Sequence, residues 1–181
     1  MRKRFFCLLA FLIVYPNVSK ATLVQWKIED GGNDHFYEKV VVTGGITWND
    51  AKVAAELCGG YLATITSDTE QTFINTYVAP IPPQQAYWLG GYQPPGSDEP
   101  AGDWRWVTGE EFVYTNWYSL EPNNNGDENA MVTWYYNQWN DVPASYLENN
   151  GYIMETPEPA TLLLLGLGGI LLRRRQKCTR A

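Results

Sequence analysis

Between residues 22 and 156 the chain holds all eight of its tryptophans but only one cysteine, Cys58. A single cysteine cannot close a loop within that stretch, so no internal disulfide is available and the fold must stand on buried apolar area. The supply is there: eleven of the 12 tyrosines lie in the same stretch, and each large aromatic ring buries on the order of 150–250 Å².

Both ends have the look of addresses. Arg2, Lys3 and Arg4 precede an apolar run from Phe5 to Tyr15, then Pro16 and the small residues Ser19 and Ala21. This is the pattern of a cleaved secretory signal over residues 1–21, and the run is too short to cross a bilayer of about 30 Å. At the other end Pro157, Glu158 and Pro159 lead into an apolar run from Ala160 to Leu172, followed at once by Arg173, Arg174 and Arg175. As a helix that run rises only about 20 Å, and the arginines would stay cytoplasmic. The order resembles the PEP-CTERM sorting signal of Gram-negative bacteria. That resemblance implies recognition and trimming by an exosortase-type membrane enzyme, membrane contact through this segment before processing, and delivery to the cell surface, outer membrane or secreted exopolysaccharide matrix. The expected organisation is a leader at 1–21, one domain at 22–156 and a sorting segment at 157–181.

Charge narrows the partners. Nine of the 13 basic residues lie in 1–20 and 173–181, leaving Lys27, Lys39, Lys52 and Arg105, whereas all 20 acids fall between Glu29 and Glu158. Four basic against 20 acidic side chains is a net charge of −16 for the stretch between the two ends. Nucleic acid is excluded as a partner, because its binding rests on Lys and Arg neutralising phosphates. Cations are favoured.

The order of elements is α+β. Residues 35–43 are β-branched and aromatic and predict a strand closed by Gly44 and Gly45. Thr47, with Asp50 three residues on, caps a helix whose inward stripe is Ala51, Ala54, Ala55 and Cys58. Residues 61–65 form a brief strand. Ser67 and Glu70 make a fuller capping box for a second helix, with Phe73, Ile74, Tyr77 and Val78 on its apolar face until Pro80. Further strands are expected at 86–92, 103–107, 131–136 and 151–156, separated by a surface loop at 93–102 and a long polar loop before Ala130.

Trp-Asn-Asp occurs twice, at 48–50 and at 139–141. The first copy is accounted for as a helix start, where Asp50 suits the dipole. The second follows a loop dense in oxygen: Glu121, Asn123 to Asn125, Asp127, Glu128 and Asn129, with Asn140 and Asp141 arriving across one strand. Calcium takes six to eight hard oxygen ligands. Zinc-type metals are disfavoured, since the stretch holds only His35 and Cys58 as nitrogen and sulfur donors. Polar loops of this kind also serve as plain turns, so the residues alone leave both readings open.

In chain order, GITWNDAKVAAELCGGYLATITS, WLGGY, DWRWVTGEEFVYTNWYSLEPNN, ENAMV, QWND and GYIMET resemble a C-type lectin domain over residues 35–155. The resemblance implies an α+β C-type lectin-like fold, two helices with short antiparallel strands. It implies calcium held by Glu121, Asn123, Glu128, Asn140 and Asp141, with Pro122 in cis. Glu121, Asn123, Glu128 and Asn140 would also bond two neighbouring hydroxyls of a carbohydrate, and Glu-Pro-Asn accompanies mannose- or glucose-type hydroxyls. Trp134 and Trp139 fit either sugar stacking or, the favoured reading, packing. Family members usually carry two disulfides, but the position near Ala130 and the one at Met154 are not cysteine here, so Cys58 is expected to lack its family partner.

Two readings follow: an exported calcium-dependent lectin, or a calcium-stabilised structural or protein-binding domain of the matrix. An enzyme is not expected. His35 is remote in sequence from the acidic loop, and no hydrolase or metalloprotease motif occurs.

Overall fold

The computed structural model describes residues 22–158 apart from 81, 83, 84 and 148. The leader at 1–21, Pro159 and Arg173 to Arg175 lie outside the described residues. In chain order the elements are β1 (Val24–Gln25), β2 (Phe36–Val41), α1 (Trp48–Leu57), β3 (Tyr61–Leu62), α2 (Asp68–Phe73), β4 (Tyr87–Tyr92), β5 (Arg105–Trp106), β6 (Ala130–Thr133), β7 (Trp139–Val142) and β8 (Gly151–Thr156).

The strands join one sheet in the order β1-β2-β8-β4-β6-β7, with β3 added on β8 and β5 on β4. Every pairing is antiparallel except β4 with β8. β2 and β8 pair from Phe36 with Thr156 to Val41 with Gly151, so the first long strand and the last close the domain on each other. Several strands end earlier than their apolar runs. The 61–65 run is strand at Tyr61 and Leu62, with the Ala63 N–H still bonding the Ile153 carbonyl at 2.9 Å, and the 131–136 run stops at Thr133, where the chain turns back into β7.

Both helices start where the capping residues place them. Thr47 accepts the Asp50 N–H at 3.2 Å, and Ser67 accepts the Glu70 N–H at 3.2 Å. Glu70 completes no reciprocal cap. It turns inward, accepting the Thr66 N–H at 2.8 Å and the Tyr37 hydroxyl at 2.6 Å. After Phe73 the chain widens into a π-helical turn, Ile74–Val78. The wider turn shifts the inward face, so Tyr77 is 65% exposed rather than buried with Phe73 and Ile74.

Two apolar clusters fill the interior. One gathers Trp26, Tyr37, Phe73, Trp106, Trp139 and Ile153; the other packs α1, through Ala51 and Ala55, against Trp88, Tyr152 and Met154. The Gly90–Gly91 pair belongs to this packing: a Cβ on Gly90 would meet the Leu62 carbonyl oxygen at 2.6 Å, and one on Gly91 the Met131 methyl at 2.5 Å. Cys58, at the end of α1, is disulfide-bonded, which corrects the expectation of a fold without a disulfide, although the family's partner position is Met154. The chain's other two cysteines, Cys7 and Cys178, lie outside the described residues.

Candidate metal centre

Trp139 sets the position of the two residues that follow it. It is fully buried, donates its indole N–H to the Gln71 side-chain carbonyl at 2.8 Å, and stands edge-on to Trp106, Tyr114 and Trp117. This leaves it no face for a sugar. Strand alternation then sends Trp139 and Asp141 to the buried side, with Asn140, half-buried, between them. β6 fixes their height in the sheet: Val132 pairs with Asn140 and Met131 with Asp141.

The long loop folds back onto this strand. Trp117 bridges to Trp139, the Tyr118 N–H bonds the Trp139 carbonyl at 2.8 Å, and the Glu121 N–H bonds the Tyr118 carbonyl at 2.9 Å. The Glu121–Pro122 peptide is cis, as the resemblance implies. The buried Asp141 carboxylate then accepts the Asn123 N–H, 3.1 Å from each oxygen, and the Asn124 N–H at 2.8 Å. The Asn125 N–H lies 2.8 Å from both the Asn123 side-chain oxygen and a Glu128 carboxylate oxygen, and Asn124 accepts the Glu128 N–H at 2.7 Å. Residues separated by up to 18 positions are thus knit into one loop.

Two oxygens are left over. Glu121 Oε2 and Asn140 Oδ1 are both buried and have no hydrogen-bond partner, a costly arrangement for polar atoms unless something else satisfies them. Charge is out of balance in the same place. Burial, then the Asp141 charge and that of Glu128, push the Glu121 carboxyl up to about 7, against the lowering effect of Asn123. Burial raises Glu128 too, against the lowering effect of the Asn125 N–H, and Asp141 adds to the rise. Among the described residues no three His, Cys, Asp or Glu side chains by themselves form a metal-holding group. Enough oxygens are present only when the amides of Asn123 and Asn140 join the carboxylates. That all-oxygen donor set, with two buried oxygens unpartnered, fits a hard divalent cation such as calcium.

The first Trp-Asn-Asp copy is elsewhere and different. Trp48 donates its indole N–H to the Leu89 carbonyl at 2.9 Å, while Asn49 and Asp50 sit exposed on the first turn of α1. Pro157 and Glu158 are exposed immediately after β8.

A second polar cluster was not legible beforehand. His35 meets Glu155 at 2.6 Å, and the Tyr37 hydroxyl lies 2.6 Å from Glu70 and 3.1 Å from Glu155. The Tyr61 hydroxyl donates to the same Glu155 oxygen at 3.2 Å. The available signal was an acid, Glu155, at the end of an otherwise apolar strand. This cluster includes none of the loop residues.

Comparison with known proteins agrees with this fold. Residues 45–152 match the C-type lectin domain family, and residues 155–176 the PEP-CTERM protein-sorting motif. The chain is 31% identical over 113 residues to a perlucin-like protein of Mytilus galloprovincialis, covering 60% of this chain and 69% of that one. It is 34% identical over 112 residues to C-type lectin domain family 4 member D of Homo sapiens, covering 58% and 48%. It is 32% identical over 142 residues to halomucin of Haloquadratum walsbyi, covering 67% of this chain but 1% of that protein. Among solved structures, the mouse scavenger receptor C-type lectin carbohydrate-recognition domain superposes with TM-score 0.60 at 24% identity, covering 76% of this chain and 96% of that one. The cow CD23 carbohydrate-recognition domain, solved in the presence of a GlcNAc2Man3 oligosaccharide, gives 0.56 at 25%, covering 69% and 89%. A calcium-independent type II antifreeze protein gives 0.57 at 24%, covering 77% and 98%.

Proposed function

This chain belongs to the C-type lectin domain family, and on that footing we propose that it is an exported, calcium-dependent carbohydrate-binding protein of the cell surface or exopolysaccharide matrix. Its PEP-CTERM motif marks it for export and surface sorting in a Gram-negative bacterium, with an exosortase-type enzyme as the proposed processing partner.

The observation that carries the calcium reading is the pair of buried, unpartnered oxygens on Glu121 and Asn140, beside the crowded carboxylates of Glu128 and Asp141. Glu121, Asn123, Glu128, Asn140 and Asp141 would hold the ion. Calcium, when bound, supplies a hard positive charge that sugar hydroxyls can share. The chain's own part is orientation. Carboxylates accept hydrogen bonds from hydroxyls and amide groups donate to them, so Glu121, Asn123, Glu128 and Asn140 select a pair of neighbouring hydroxyls by direction. The Glu121-Pro122-Asn123 order favours mannose- or glucose-type hydroxyls. Binding without catalysis is the proposed activity.

Calorimetric titration with calcium, followed by a glycan array with and without EDTA, tests this. Heat with calcium and EDTA-sensitive glycan binding are expected; no heat with calcium overturns it.

One observation favours a second reading, a calcium-stabilised structural or protein-binding domain. Asp141 already spends both carboxylate oxygens on the loop's own N–H groups, so the ion would brace the loop. Calcium heat with an empty array selects that reading.

A further inference from the structure

Beside the proposed ligand loop lies a row of aromatic rings that starts at Trp134, packed against the edge of the core, and runs out to solvent at Tyr136. Tyr118 stands edge-on to Trp134 at 5.6 Å and to Tyr135 at 6.0 Å, and Tyr135 stands edge-on to Tyr136 at 4.7 Å. The row runs outward from the interior: Tyr118, Trp134 and Tyr135 are half-buried, whereas Tyr136 is 70% exposed.

Its backbone is held in an unfavourable shape. Tyr136 has φ of 55°, in the left-handed region that bulky side chains avoid, and is followed by Asn137 at 60°, a residue that tolerates it. The turn is pinned from beneath: Asn116 donates its side-chain N–H to the Asn137 carbonyl at 3.1 Å, and Gln138 donates to the Trp117 carbonyl at 3.2 Å. Across its mouth, the Trp134 N–H bonds the Gln138 carbonyl at 2.7 Å. A large apolar ring is thus presented to solvent on a fixed, strained turn, where burial offers no return for the strain.

One end of the row connects to the loop and the other leads into β7. The Tyr118 carbonyl holds the Glu121 N–H at 2.9 Å, and Asn140 lies two residues beyond Gln138 on β7. Aromatic faces flanking a group of hydroxyl-binding side chains suit the apolar face of a pyranose ring, and the net negative charge of the domain disfavours an acidic occupant. We propose that Tyr118, Trp134, Tyr135 and Tyr136 form a stacking subsite for the sugar unit adjoining the one bound at Glu121, Asn123, Glu128 and Asn140. The ligand class is then a neutral saccharide chain rather than a single sugar. This rests on the lectin reading above.

The test uses the full protein with saturating calcium and compares D-mannose and D-glucose with their linear di-, tri- and tetrasaccharides. The chain-length series is expected to tighten by about tenfold over the single sugar, a difference of 1.4 kcal/mol. Tyr136→Ala, and Tyr135→Ala/Tyr136→Ala together, are expected to erase that gain while leaving calcium and single-sugar affinity unchanged. Tyr136→Phe, which keeps the ring, is expected to retain it. Single-sugar binding with no gain for longer chains, or a gain that survives in the double variant, overturns the subsite alone. No calcium-dependent binding of any saccharide overturns the lectin reading and the subsite with it.

Discussion

The carboxylate of Asp141 holds the backbone N–H of Asn124 at 2.8 Å across 17 residues of chain. The contact joins β7 to the loop that carries Glu121, Asn123 and Glu128, and Asp141 is fully buried where it does so. Hydrogen bonds to a charged acceptor contribute about 1.5–3 kcal/mol each. Asp141→Ala should therefore do two things: remove calcium binding, and expose the amides of Asn123 and Asn124 to rapid hydrogen exchange. Exchange rates measured without calcium separate the second effect from the first. Unchanged protection at those amides would count against the anchor.

The two Trp-Asn-Asp copies allow a paired comparison. Asn140→Ala removes a buried, unpartnered oxygen and should abolish calcium binding with the fold intact. Asn49→Ala, on an exposed helix turn, should leave it unaltered. Melting with and without calcium reads both, since an ion at a hundred times its Kd stabilises by about 2.7 kcal/mol. Unfolding of the Asn140 variant would mean that the residue is structural.

Trp139→Ala should be costly in either state. The ring is fully buried among three edge-on aromatic neighbours, and such truncations cost about 3–5 kcal/mol. Denaturant unfolding gives the figure, and a loss below about 1 kcal/mol would show that the ring is not the support described.

The His35 cluster makes stability depend on pH. The hydrogen bond that His35 donates to Glu155 raises His35 above its ordinary 6.5, against the opposing effect of burial. Its stabilisation is complete below 6.5 and is lost as pH rises through the folded value. Glu70, raised mainly by burial, tilts the same way from 4.5 upward. Melting temperature should fall from pH 6 to pH 8.5, and His35→Gln should flatten that fall. An equal slope in the variant would assign the dependence elsewhere.

Gly45 has φ of 82°, and a Cβ there would run into the Leu147 carbonyl. Gly45→Ala should cost more than about 1 kcal/mol, the level beyond which a misfit backbone outweighs the entropic gain. Thermal unfolding measures it.

Much of the fold was legible because local signals and tertiary demands agree. Thr47 and Ser67 cap helices as their spacing requires, and β2, β4 and β8 occupy their β-branched and aromatic runs. Disagreement came where a distant partner decided the outcome. Glu70 abandons its half of the capping box because Tyr37, 33 residues away, offers a buried hydroxyl. Tyr77 leaves the apolar face because a π turn interrupts the helical period. Family motifs pointed to the loop residues, and the structure brings Asn123, Glu128 and Asp141 into one hydrogen-bonded network, with Glu121 against Asp141. The buried polar cluster around Glu155 had no local pattern to announce it, since its members come from four separate stretches of the chain.

Phe36 and Thr156 are register partners at one end of the β2–β8 ladder, so the chain enters and leaves that ladder at the same corner. Force applied between the two ends of the domain would peel the ladder pair by pair, the geometry of a zipper. Force applied between the ligand loop and residue 157 takes another route: it passes through β8 and its neighbours, loading many hydrogen bonds together. If the domain holds a polysaccharide while its C-terminal side is tethered, the load enters the sheet at Thr156 and is shared by the strands on either side of β8, β2 and β4.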